Sequence, residues 1–266
     1  MSSGSSKNAP VAAAHHAAAA GTPYSVAIKM SGDTVKKLQD NSYQLFAFKG
    51  IDGPPKAVPV VWFTTDRYST TTDISWQEQY AGYASLSTTV APGTEIVASD
   101  TEPMNLGQIM HVGAGGVGIV GNEGGSQGEI AIINDTTTEF VCGVSQLNTL
   151  TNQTSPICAF TLFGDGLDMF VPIELVYFMF ATNAVNTGTV IEQSFARGIQ
   201  VNMTGGVQNA PLTFDIDKGW SGPGYTTNYD AKQDLLPLLI NPGGAALVSA
   251  RAALRRRNQI AALKAA

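Results

Sequence analysis

Charge is what this sequence has least of. Asp, Glu, Lys and Arg make up 14% of its 266 residues, against about 25% in a typical globular chain. The deficit disfavours a helix-rich enzyme, whose exposed helix faces draw on Glu, Lys and Arg. It suits an all-β protein with outer faces of Thr, Ser, Asn and Gln. Histidine and cysteine are scarcer still, at three and two. No H-x-H, H-E-x-x-H or C-x-x-C pattern occurs, so neither a metal site nor a cofactor is expected. His15 and His16 sit in an Ala-rich stretch, and His111 reads as structural. A G-x-S-x-G elbow, a P-loop and a kinase signature are also missing.

Long apolar runs are absent as well. The longest, Met169–Ala181, is interrupted by Pro172 and Glu174 and is too short to span a bilayer. The stretch "MSSGSSKNAPVAAAHHAAAAG" lacks the basic start, Leu-rich core and cleavage site of a secretory signal. The expectation is a soluble chain, either cytoplasmic or exported without a cleavable signal. Cys142 and Cys158 are spaced to suit a disulfide across paired strands or, equally, two buried free thiols. Asn-x-Thr triplets at Asn134, Asn152 and Asn202 carry little weight in so Thr-rich a sequence.

The formal charge of −6 gives the body no general attraction to phosphates, so it is not expected to bind nucleic acid. Basic residues nonetheless concentrate at Arg251, Arg255, Arg256, Arg257 and Lys264, a local patch that can act independently of the overall sign.

What is present reads as strands. Tyr24, Val26, Ile28 and Met30 alternate with Ser25, Ala27 and Lys29, the period of a half-buried strand. "SYQLFAFKG" and "VPVVWFTT" flank "IDGPP", a strong turn signal. In "SWQEQYAGYASL" the i, i+4, i+7 spacing of Trp76, Tyr80 and Tyr83 suits a helix, while Gly82 and the Thr runs favour strand; both readings stay open. Nine further short runs follow, from "TEIVAS" to "PLTFDI", each bounded by turn residues. "FGDGLD" and "AVNTGT" look like hairpin connections. Short strands spaced by turns, with no constant repeat, predict an all-β fold: a β-sandwich of jelly-roll-like or Greek-key type. The layout is a low-complexity tail over residues 1–22, a sandwich over 23–230 and an extension over 231–266. In the extension, Leu247, Ala250, Leu254, Ala261 and Leu263 lie roughly on one side of a predicted helix, with the arginines on the other.

One stretch resembles a cofactor signature. Gly113, Gly115 and Gly118 spell G-x-G-x-x-G after a strand, with Asp135 about twenty residues on. A dinucleotide fingerprint also needs a helix opening at the glycines. Residues 118–128 contain five of them, costing a helix roughly 5 kcal/mol. The helix, and with it the pyrophosphate site, is excluded. The expected alternative is a hairpin of "GVGIV" against "EIAII".

Two other candidates remain. Asp215 and Asp217 alternate along "FDID", and Asp165 and Asp168 flank a turn, so either pair could hold calcium or serve a glycosidase. A solvated strand face and turn residues are the plainer reading. The loop "GWSGPGYTTNY" presents Trp220, Tyr225 and Tyr229, which could stack on a glycan or sit at a membrane surface, as in lectins and pore-forming proteins.

These observations point away from catalysis. The leading expectation is a non-catalytic structural protein that self-assembles into a homo-oligomer or filament. Its contacts would come from the doubly apolar strand, through Phe178 and Phe180, and from the terminal extensions, through Leu247 and Leu254. The alternatives are a lectin-like or membrane-active module acting through Trp220 and, more weakly, a carbohydrate hydrolase using Asp215 or Asp217.

Overall fold

The computed structural model describes residues 21–87, 89–121, 125 and 127–242. Its first strand, β1 (Pro23–Lys29), follows the alternation in the sequence: Tyr24, Val26 and Ile28 are buried, each contributing about 1.5–3 kcal/mol. Helix α1 (Gly32–Asp40) comes next, an element the strand pattern hides. Ser31 caps it by accepting from the Thr34 N–H at 3.0 Å, Asp33 lies in the first turn, and Leu38 enters the core. Ser31-x-x-Thr34 ahead of an apolar position is a legible capping signal.

The chain continues through β2 (Gln44–Asp52), β3 (Val58–Pro59), β4 (Phe63–Thr65), β5 (Thr71–Gln77), β6 (Tyr80–Ser85), β7 (Asp100–Met104), β8 (Ile109–Val112) and β9 (Gly118–Gly121). Then come β10 (Ile130–Asn134), β11 (Phe140–Asn148), β12 (Gln153–Pro156), β13 (Cys158–Leu162) and the long β14 (Leu167–Ala181). The remaining elements are β15 (Gly198–Asn202), β16 (Asn209–Asp215), β17 (Gly219–Ser221), β18 (Thr226–Tyr229), α2 (Leu236–Leu239) and β19 (Ile240–Asn241).

They form a four-stranded sheet ordered β17-β16-β1-β5, a six-stranded sheet with the path β3-β13-β11-β6-β7, and a nine-stranded sheet with the path β18-β15-β14-β10-β8-β9. The fold is all-β and sandwich-like, as the composition implies. One large apolar cluster joins the sheets, with contributions from β1, β5, β11, β13 and β14.

One open reading is resolved and two local expectations are corrected. The segment Ser75–Leu86 is strand, and it turns a corner: β5 pairs with β1, whereas β6 pairs with β11 and β7. The Gly118–Gly121 strand pairs back on β8, and β10 pairs in parallel with β8, so "GVGIV" and "EIAII" are not partners. "FGDGLD" joins β13 to β14, which belong to different sheets. Residues after 230 also belong to the body. Leu235 and Leu239 are buried, and β19 pairs with β2.

β14 explains the doubly apolar run. Val176, Phe178 and Phe180 point into the main cluster. Tyr177, Met179 and Ala181 face a second one with Phe46, Phe48, Leu235 and Leu239. Both faces are covered within one copy, which removes Phe178 and Phe180 as contacts between subunits. Leu247 and Leu254 lie outside the described residues.

Candidate functional site

The most unusual chemistry is interior. Pairing of β2 with β14 shifts register between Pro172 and Val176, a bulge that re-aims a side chain. Glu174 sits at this bulge, and its Oε2 lies 2.7 Å from Lys49 Nζ. Trp76 Nε1 donates to the same oxygen at 2.7 Å, and Tyr80 donates to Oε1 at 3.0 Å. The Lys49 ammonium lies 4.4 Å from the Trp76 ring centroid and 5.6 Å from that of Trp62. The side chains of Lys49 and Glu174 are 1% and 7% exposed. Burial raises the Glu174 pKa. The Lys49 charge and hydrogen bond, with those from Trp76 and Tyr80, outweigh that and hold the carboxyl below its ordinary value. Such a sealed pair orders a core and offers a substrate no access. Sequence reasoning missed it, although Lys49 and Glu174 both stand inside apolar runs, which is itself a signal of pairing.

The sequence-predicted residues are dispersed. Trp220 is 6% exposed and stacks on Phe180, with centroids 5.5 Å apart at 13°. Its Nε1 donates to the Arg197 carbonyl at 3.2 Å. Tyr225 and Tyr229 are half-buried; Tyr225 donates to the Asn209 carbonyl, and Tyr229 packs on Tyr177. Most of the indole is therefore taken up by the core. A recess of about 330 Å³ lies beside it, lined by Arg197, Lys218, Trp220, Asn228, Tyr229 and Asp230 among others.

Asp215 accepts from the backbone N–H groups of Asp217 and Lys218, which lowers its pKa, and Asp217 pairs with Lys37 at 2.6 Å. Together they shape the exposed β16–β17 turn. Asp165 has a positive φ of 55°, and Asp168 pairs opposite Ile132 at the start of β14. Among the described residues, no group of three or more His, Cys, Asp or Glu is placed to hold a metal ion. Cys142 and Cys158 are free, buried thiols. Cys142 pairs with Phe160, so Cys158 stands two residues out of register and no disulfide forms. Burial pushes both thiols up to about 12.

The Gly-rich loop forms a 3-10 turn at Ala114–Gly116, with Gly115 and Gly116 at φ 73° and 76°. A Cβ on Gly116 would lie 3.3 Å from Phe140 and 3.5 Å from Leu86. The loop therefore packs on one end of the six-stranded sheet, and the topology gathers exposed apolar side chains there. β6 and β13 both run antiparallel to β11 and finish beside its start, at Ser85 and Leu162. Leu86 and Phe163 follow directly. β7 starts at the same end, opposite Ala84, with Val97 before it. Val117 and Ile119 continue from the glycines. These five side chains are 52–69% exposed. At the same end Glu139 immediately precedes β11, Asp165 follows Phe163 by two residues, and Asp100 holds the Gly118 N–H at 2.6 Å. His111 pairs with Asp135 at 2.9 Å, and Lys56 lies 5.7 Å from the Phe163 ring.

A separate open cleft of about 950 Å³ lies between Pro92–Glu95 and residues 183–195, with Asn183, Asn186, Gln193, Phe195 and Lys232 on its walls. Among the described residues, no helix is long and apolar enough to cross a membrane. Comparison of the chain with family models, curated proteins and solved structures finds no match.

Proposed function

We propose that the protein is a non-catalytic structural protein that assembles with copies of itself, and that the exposed apolar end of its body makes the contact. The observation that carries this reading is the grouping of Leu86, Val97, Val117, Ile119 and Phe163 at one end. Exposed apolar residues are ordinary when scattered; gathered and rimmed by polar groups, they mark an interaction surface. Sedimentation velocity over a range of concentrations tests the reading. The expected result is a species larger than the monomer that is lost in Leu86→Ser/Phe163→Ser; a wild-type protein that stays monomeric overturns it.

A second reading, a lectin-like module, is favoured by the 950 Å³ cleft rather than by Trp220. Amide side chains beside the half-buried Phe195 ring offer hydrogen bonds and an apolar face together. A glycan array probed with wild type and Phe195→Ala distinguishes it, since binding should fall in the variant while sedimentation is unchanged.

A further inference from the structure

The recess beside Trp220 lies at a seam between sheets. β15 and β18 belong to the nine-stranded sheet, and β17 to the four-stranded one. Trp220 on β17 bridges them. Its Nε1 donates to the Arg197 carbonyl just ahead of β15, and its own carbonyl accepts from Asn228 Nδ2 on β18 at 3.0 Å. These contacts fix the walls of the 330 Å³ space. Gly219 has a φ of 89°, and a Cβ there would meet nothing within 4 Å, so that side stays open.

The charge of the recess runs against that of the body. Residues 21–242 hold all 21 acidic residues and nine of the fifteen basic ones, a formal charge of −12. Two of those nine, Arg197 and Lys218, line the recess against a single carboxylate, that of Asp230. Arg197 Nε lies 3.6 Å from Asp230 Oδ1, too far for a hydrogen bond, and the two side chains are 69% and 93% exposed. The Lys218 ammonium donates to no partner among the described residues. The carboxylates of the adjoining turn are engaged elsewhere. Asp215 accepts from the backbone N–H groups of Asp217 and Lys218, and Asp217 pairs with Lys37. Two cationic donors therefore stand uncommitted beside one recess.

We infer that this recess binds an acidic sugar, a monosaccharide unit carrying one carboxylate. The planar Arg197 guanidinium matches a carboxylate through two parallel N–H···O bonds, and the Lys218 ammonium adds a point charge. Asp230 leaves the recess a formal charge of one, which a single carboxylate neutralises and a phosphate dianion exceeds. The rest of the lining suits a sugar ring. Trp220 and the half-buried Tyr229 offer apolar contact to its C–H groups. Asn228, with its Nδ2 engaged, keeps an amide oxygen that accepts from a hydroxyl. The volume falls at the lower end of the range for ligand sites, about 300–1,000 Å³, which suits one sugar unit. The recess shares no lining residue with the 950 Å³ cleft, and the inference does not depend on self-assembly.

The test is calorimetric titration of the full-length protein with glucuronate and with N-acetylneuraminate, against glucose, acetate and inorganic phosphate. Wild type should bind at least one of the two acidic sugars about tenfold or more tightly than any of the other three. Arg197→Ala and Lys218→Ala should each weaken that binding at least about tenfold, the loss of a charge-assisted hydrogen bond. Arg197→Lys keeps the charge but not the fork, and should be weakened as well. Both side chains are exposed, so melting curves of the variants should match wild type. Lys36→Ala, on α1, makes the same change in net charge and should leave the affinity unaltered. If neither acidic sugar binds at millimolar concentrations, or if the Arg197 and Lys218 variants bind like wild type, the inference is overturned. Equal binding of glucose removes the role of the carboxylate. Equal binding of acetate or phosphate leaves a bare anion site and removes the sugar. A loss in Lys36→Ala as large as in Arg197→Ala would show general charge attraction rather than a site. Each of these results overturns the assignment without touching the self-assembly reading.

Discussion

Glu174→Gln keeps the shape of the buried centre and deletes one charge, so it isolates what the ion pair contributes. The carboxylate serves three donors: Lys49 and Trp76 at Oε2, and Tyr80 at Oε1. An amide has one acceptor oxygen and a donating nitrogen, so at least one donor loses its partner and the Lys49 ammonium loses its counter-charge. Removing one member of a buried pair costs about 3–5 kcal/mol. The Trp76 and Trp62 rings beside the ammonium offset about 1 kcal/mol of that, leaving an expected loss of about 2–4 kcal/mol. In a body of this size 1 kcal/mol moves Tm by about 2–4 °C, so Tm should fall by roughly 4–16 °C. Guanidinium titration read by tryptophan fluorescence measures it, helped by Trp76 reporting from inside the cluster. Lys49→Met/Glu174→Leu leaves no orphan charge and should lose less than Glu174→Gln. A Glu174→Gln loss below about 1 kcal/mol, or a double variant worse than the single, refutes the reasoning.

The same pair predicts the acid limb of stability. A carboxyl whose folded pKa is depressed stabilises the fold above its unfolded value, near 4.3, and that contribution is lost as pH falls through the folded value. Wild type should therefore lose stability more steeply than Glu174→Gln below about pH 4; parallel curves count against it. Cys142 and Cys158, with thiols pushed up to about 12 by burial, should resist a thiol reagent at pH 8 in the folded protein. Both should react on unfolding, and prompt labelling of the native state would contradict their burial. Trp220→Ala should cost about 3–5 kcal/mol, as removal of a core aromatic does. A variant of wild-type stability would return Trp220 to the surface as a binding residue.

The candidate surface was legible only in fragments. Leu86, Val97, Val117 and Phe163 are each unremarkable next to a turn, and nothing in their local sequence relates them. They meet because β6 and β13 flank β11 and end at the same edge, a long-range pairing that no local window contains. The glycine stretch shows the same division. Its inability to form a helix follows from the residues alone, and the turn at Gly115 and Gly116 agrees. That β8 and β10 lie parallel with β9 folded back on the far side of β8 is a matter of tertiary pairing.

Low charge, turn residues at short intervals and period-two alternation were sufficient by themselves for an all-β, sandwich-like body. Those signals report each residue's own propensity and its exposure to water, which act locally. Whether an apolar face is interior or an interface depends on what lies opposite, and only the folded chain supplies that. Phe178 and Phe180, read as surface contacts, proved to be core because the main apolar cluster closes over their face of β14 and α2 helps to cover the other. Lys49 and Glu174 stand 125 residues apart and became partners through a bulge no pattern announces. The carboxylate and the ammonium could be buried only together, and the tertiary structure decided that they were.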